Sequence, residues 1–172
     1  MLRDLGTLLA RSAIGASFAA HGAQKAFGWF GGPGPAGAAG FMDSLRFRPG
    51  ARYATLSSYT EVAGGTLLAL GLGGPLGPAA MIAVMTVAGV SVHGKNGFFA
   101  QNGGYELPAL YAVTAGALAM SGPGRFSLDE ALGLDALADE RIAWLAVTGG
   151  VVGGLLALAS RAAEASSTDA AA

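Results

Sequence analysis

The chain contains no cysteine. That excludes disulfides, thiolate metal or iron–sulfur sites, covalent haem attachment and any thiol relay of its own. Charge is scarce as well, at 12% of 172 residues, against about 25% in an average soluble domain. What charge there is nearly cancels to a net −1, so no field gathers nucleic acid and no basic stripe marks a nucleic-acid surface. Convincing strands are missing too. GLGG therefore reads as a turn and GAAG as a loop, not as phosphate-binding elements between strand and helix. No Ser-His-Asp constellation can be argued.

Apolar sequence is what remains, 52% of the chain. A helix in a soluble domain is apolar along one stripe, whereas several segments here are apolar all round. Such segments suit lipid. A spanning helix needs about 20 mostly apolar residues, and five stretches are expected to span, at about 5–27, 54–72, 76–94, 105–121 and 142–160. The first carries Arg11, His21 and Lys25, and the fourth is short. The fifth is uncharged between Arg141 and Arg161, a favourable interfacial anchor. The reading is an all-α integral membrane protein, a four-helix bundle with a fifth C-terminal helix. It forms one domain over residues 1–162, and the low-complexity tail 163–172 is expected to be disordered. A cleaved leader at the N-terminus is disfavoured, because Arg11 interrupts what would be its apolar run.

The connections fit a compact bundle. GLGGP (71–75) is a tight turn that makes spans two and three an antiparallel hairpin. GWFGGPGPAGAAG is too rich in glycine and proline for a helix. The following FMDSLRFRPGARY reads equally as a short interfacial helix or a disordered basic loop. FSLDEALG is one capped turn of helix inside an acidic connection. Gly149, Gly150, Gly153 and Gly154 repeat at four-residue spacing, which lets helix backbones approach closely in lipid. Gly15, Ala19 and Ala23 repeat it in the first span.

Alternating the spans between face A, where the N-terminus lies, and face B sorts the polar residues by depth. His21, Lys25, Glu61, His93, Lys95 and Glu106 all come to face B. Glu61 is placed roughly 9–10 Å down at 1.5 Å per residue. Ionisable groups at that depth are expensive and usually face one another or a wet cavity. A short carboxylate cannot snorkel, so Glu61 demands a partner or a proton, with Lys25 and His21 as candidates. Single residues have plainer readings. Lys95 snorkels at a helix end, His93 caps its helix C-terminus, and Glu106 is an N-terminal charge. The six are taken together as the candidate ligand-binding site.

The segments RSAIGASFAAHGAQKAFG, EVAGGTLLALGL, HGKNGFFAQNGGYELPALY and GPGRFSLDEALG resemble the DoxX family of small membrane proteins, over about residues 5–133. By matching position, the resemblance assigns Arg11, His21, Lys25, Glu61, His93, Glu106, Gly64, Gly65, Gly103 and Gly104 to the family motif. It implies a core of four transmembrane helices, with the fifth span as an addition. It also implies a plasma-membrane, multi-pass subunit of a redox system, quinone-linked or serving sulfur metabolism or oxidative stress. Partners would be lipid, soluble redox or sulfurtransferase proteins, and a second copy of the chain; nucleic acid is not among them.

A quinone head group suits such a pocket, because histidine, lysine and a buried glutamate supply hydrogen-bond donors and a proton relay. Haem held by His21 and His93 is disfavoured, since it requires span three to continue past Val92. Metal ligation by His, His and Glu lacks a tight spacing. A non-catalytic scaffold docking enzymes through residues 28–53, and a small proton-coupled transporter, are the alternatives. Counting Lys and Arg, face B is expected to be cytoplasmic.

Overall fold

In the computed structural model, which describes residues 1–169, every regular element is helical. Helix α1 (Leu2–Phe27) stops where Gly28 turns left-handed at φ 71°, a conformation glycine takes at little cost, and its N–H closes the last turn on the Gln24 carbonyl. Helix α2 (Gly34–Ser44) follows, so the GPAGAAG stretch is helical where glycine and proline were expected to prevent it. Both prolines stand at its entrance, where a helix has no N–H partners to lose and a fixed φ favours the first turn. Contact with α3 does the rest, burying Ala38. Of the two readings of 41–53, a separate interfacial helix or a disordered loop, neither describes it: 41–44 end α2, a turn follows, and 50–53 open α3 (Gly50–Leu70).

A turn at 71–75 joins α3 to α4 (Leu76–Ala88), making the expected hairpin. Beyond Ala88 the same helix continues as a π turn (Gly89–His93) and a 3₁₀ turn (Gly94–Asn96). Helix α5 spans Glu106–Ser121. The short α6 (Leu128–Leu132) is capped as expected, Ser127 Oγ accepting the Glu130 N–H at 3.1 Å. Helix α7 runs from Glu140 to Asp169, through much of the stretch expected to be disordered. Its alanines are good helix formers and prolong a helix already nucleated. Residues 170–172, the remainder of that expectation, lie outside the described residues.

α1, α3, α4 and α5 pack in a ring to form the bundle, and α7 lies against α4 from outside. Small residues set these contacts. A Cβ at Gly15 would come within 2.6 Å of the Gly65 carbonyl, and one at Gly65 within 2.4 Å of the Ala19 amide. The α1 and α3 backbones therefore touch, as they do in membrane helix pairs. Gly150 and Gly154 do the same on α4, meeting Ala79 O and Ala83 O. Gly149 faces open space.

The distribution of side chains is inverted relative to a soluble bundle. Leu9, Leu56, Val113, Leu145 and Leu156 are each more than 60% exposed, while Arg11, Ser58, Glu61 and Asp129 are buried. By length and composition two helices can cross a bilayer, Leu76–Asn96 and Glu140–Arg161. Only 22% and 17% of their most apolar windows are buried, so these are not core helices of a soluble fold. α1 and α3 carry too many polar residues to pass on composition alone, and α5 is short.

Candidate functional site

Near the B end, α1 to α5 and α7 surround a cavity of about 570 Å³. Most of its wall is hydrocarbon, thioether or aromatic ring, contributed by residues such as Phe18, Met42, Met85 and Leu107. Four of the six expected site residues line it: His21, Lys25, Glu61 and His93.

Glu61 is 2% exposed. Helix α3 starts a turn earlier than the composition suggests, so Glu61 lies eleven residues in, roughly 16 Å along the helix at 1.5 Å per residue. It is nevertheless level with the end of α1. Gly22 has no side chain, and a Cβ there would meet Ser58 O at 2.6 Å and Glu61 Cβ at 2.8 Å. That close approach carries Lys25, one turn on, across to the carboxylate. Lys25 Nζ donates to Glu61 Oε1 in an ion pair, and Ser57 Oγ donates to the same oxygen at 3.0 Å. Glu61 Oε2 is buried and has no hydrogen-bond partner. A buried carboxylate oxygen in that state is costly unless something donates to it.

The histidines stand on the same wall. His93 closes the π turn of α4, an irregularity that shifts the helix face by one residue and recurs at functional sites. Its Nδ1 lies 2.7 Å from Gly103 O. A carbonyl only accepts, so Nδ1 donates and Nε2 of the neutral ring is left as an acceptor. His21 Nδ1 lies 3.2 Å from Gln24 Oε1 and donates to it in the same way. Tyr111 adds a hydroxyl to the wall, hydrogen-bonded to Ser17 Oγ at 2.8 Å.

Lys95 and Glu106 are not part of the lining. Lys95 is exposed on the 3₁₀ turn after His93. Glu106, the first residue of α5, turns its Oε2 back to the Ala100 N–H at 2.8 Å and closes the loop instead. Both follow their plainer readings: an ammonium gains most by staying wet, and a loop amide needs an acceptor.

A second polar centre, at the A end, was legible only in fragments. Arg11 is 3% exposed, and its two Nη groups donate to Ala69 O and Phe126 O. Asp129, 2% exposed, accepts from the Gly73 and Gly74 N–H groups at 2.8 and 2.6 Å. Together they tie the α3–α4 turn to the 122–133 connection. The signal available was Arg11 within an apolar span and Asp129 just after a capping serine, but nothing in the sequence aims either side chain at a turn far away in the chain.

Span three does continue past Val92, which removes the register argument against a bis-histidine haem. Among the described residues no group of three or more His, Asp or Glu is arranged to hold a metal ion. No curated protein and no solved structure matches the chain. The DoxX family matches residues 6–94, just over half of the chain, taking in α1 to α4 and the lining residues His21, Lys25, Glu61 and His93 but stopping short of α5 and α7. This membrane protein belongs to the DoxX family.

Proposed function

We propose that the chain is a multi-pass plasma-membrane subunit of a redox system, and that its cavity takes the head group of a membrane quinone. The observation that carries the reading is Glu61 Oε2, buried without a partner beside the Lys25 ion pair on the wall of a largely apolar cavity. Such an atom calls for a hydrogen-bonding head group. Haem iron would leave it unanswered.

The residues present fit a ring with one oxygen at each end. Lys25 has N–H groups beyond the one given to Glu61, and these suit a carbonyl oxygen. Glu61 Oε2 suits a hydroxyl proton. His93, with Nδ1 given to Gly103 O, presents Nε2 as a hydrogen-bond acceptor, and His21 stands exposed at the rim, where a proton can pass to water. When bound, a quinone supplies two-electron, two-proton redox chemistry. With no cysteine in the chain, any thiol or sulfur chemistry falls to a soluble redox or sulfurtransferase partner, or to the substrate. A scaffold role through 28–53 is less supported, because residues 34–44 are helical and packed on α3.

The test is binding by the purified protein in detergent, read by quenching of its intrinsic fluorescence on titration with a quinone. Wild type is expected to bind, and Glu61→Gln about tenfold more weakly, the worth of one charged hydrogen bond. No binding by wild type, or equal binding by Glu61→Gln, sinks the reading.

A further inference from the structure

Helix α7 lies wholly beyond the family match, yet Gly153, Gly154 and Ala157 line the same cavity as Lys25 and Glu61. Two of these small residues do different work. Gly154 is a packing residue, since a Cβ there would come within 2.7 Å of Thr86 Cβ and 2.8 Å of Ala83 O. Gly153 is not. A Cβ there would meet only the Ala83 Cβ, at 4.0 Å. Close packing does not require glycine at 153, and what glycine does there is leave volume.

That volume lies between α3 and α7. At its B end the gap is bridged, Tyr53 Oη lying 3.1 Å from Ser160 Oγ and the Arg161 guanidinium 5.4 Å from the buried Phe47 ring. Below the bridge Leu56 both lines the cavity and is 63% exposed, so the cavity reaches the outer apolar surface there. A cavity of about 150 Å³ already holds a benzene ring, and this one measures about 570 Å³. One ring at Glu61 leaves most of it unfilled.

We propose that the α3–α7 gap holds the apolar chain of the same membrane quinone whose head group sits at Glu61 and Lys25, and that Gly153 sets the bulk of chain admitted. The proposal rests on the head-group reading. Its supports are the continuity of gap and polar wall in one cavity, the apolar exit at Leu56, and a glycine that packing does not demand. On this reading the added helix is a specificity wall.

The experiment titrates the purified full chain with two probes, a tail-less benzoquinone and the same ring carrying a long isoprenoid chain. Gly153→Leu fills the gap, and Gly149→Leu, on the same helix with open space around its Cβ and outside the lining, is the control. Gly153→Leu is expected to weaken the long-chain probe by about tenfold or more, the usual effect of a few misplaced methylenes in an apolar pocket. The tail-less probe and the control variant should be unaffected. If wild type binds both probes equally and Gly153→Leu weakens neither, the chain site is overturned while the head-group reading stands. Binding of neither probe overturns both. A long-chain probe lost in Gly153→Leu but held equally by Glu61→Gln keeps the chain site and overturns the head-group assignment.

Discussion

The molecule buries ionisable side chains at both ends of its helix bundle and uses them in opposite ways. At the A end, the hydrogen bonds of Arg11 and Asp129 go to backbone groups: carbonyls at 69 and 126 for the two Nη groups, amides at 73 and 74 for the carboxylate, with Arg11 Nε buried and unmatched. The void beside Arg11 is about 20 Å³, room for roughly one water. At the B end, Glu61 is answered by the side chains of Lys25 and Ser57, keeps one oxygen unmatched, and borders a cavity of about 570 Å³. A polar group in an apolar bundle is a structural lock when its hydrogen bonds go to backbone and almost no space adjoins it. It becomes a candidate site when its partners are other side chains and space is left over.

That contrast predicts a separation of stability from binding. Arg11→Met should have the largest effect on folding. It removes two charge-assisted hydrogen bonds and leaves the Ala69 and Phe126 carbonyls without that donor, a loss of about 4 kcal/mol. Chemical unfolding in detergent measures it, and a midpoint equal to wild type would mean that the A end is not a lock. Lys25→Met should come next, at about 3 kcal/mol, because it strands a buried carboxylate. Adding Glu61→Gln should recover most of that loss, since the stranded charge is then gone. A double variant as unstable as the single one would mean that the lysine matters for packing and not for its charge. The smallest of the three is Asp129→Asn, at about 1–2 kcal/mol, since one oxygen still accepts a glycine N–H while the other N–H faces an amide nitrogen. Its quinone binding should equal that of wild type; a tenfold loss would erase the distinction between the two ends.

How much of this was readable beforehand can be judged residue by residue. The hairpin turn at 71–75, the Ser127 cap and the lipid-suited composition were legible because each depends on neighbours in sequence. Convergence of His21, Lys25, Glu61 and His93 was legible from alternation of the helices alone. The α2 helix was not, because propensity rules read Pro33, Pro35 and three glycines as breakers and cannot see the α3 surface that holds them. Glu106 falls outside the lining for a related reason: residue type and level are visible in sequence, but the hydrogen bond that captures the carboxylate is not.

By itself the sequence determined that this is an all-helical membrane protein and that His21, Lys25, Glu61 and His93 come toward one face, since hydropathy and helix periodicity are properties of local segments. Which of those groups share a cavity, which are spent on loop amides, and why Gly153 differs from Gly154 were decided only by the tertiary structure. Those outcomes turn on ångström-scale distances between helices far apart in the chain, and close packing fixes such distances only once all the partners are in place.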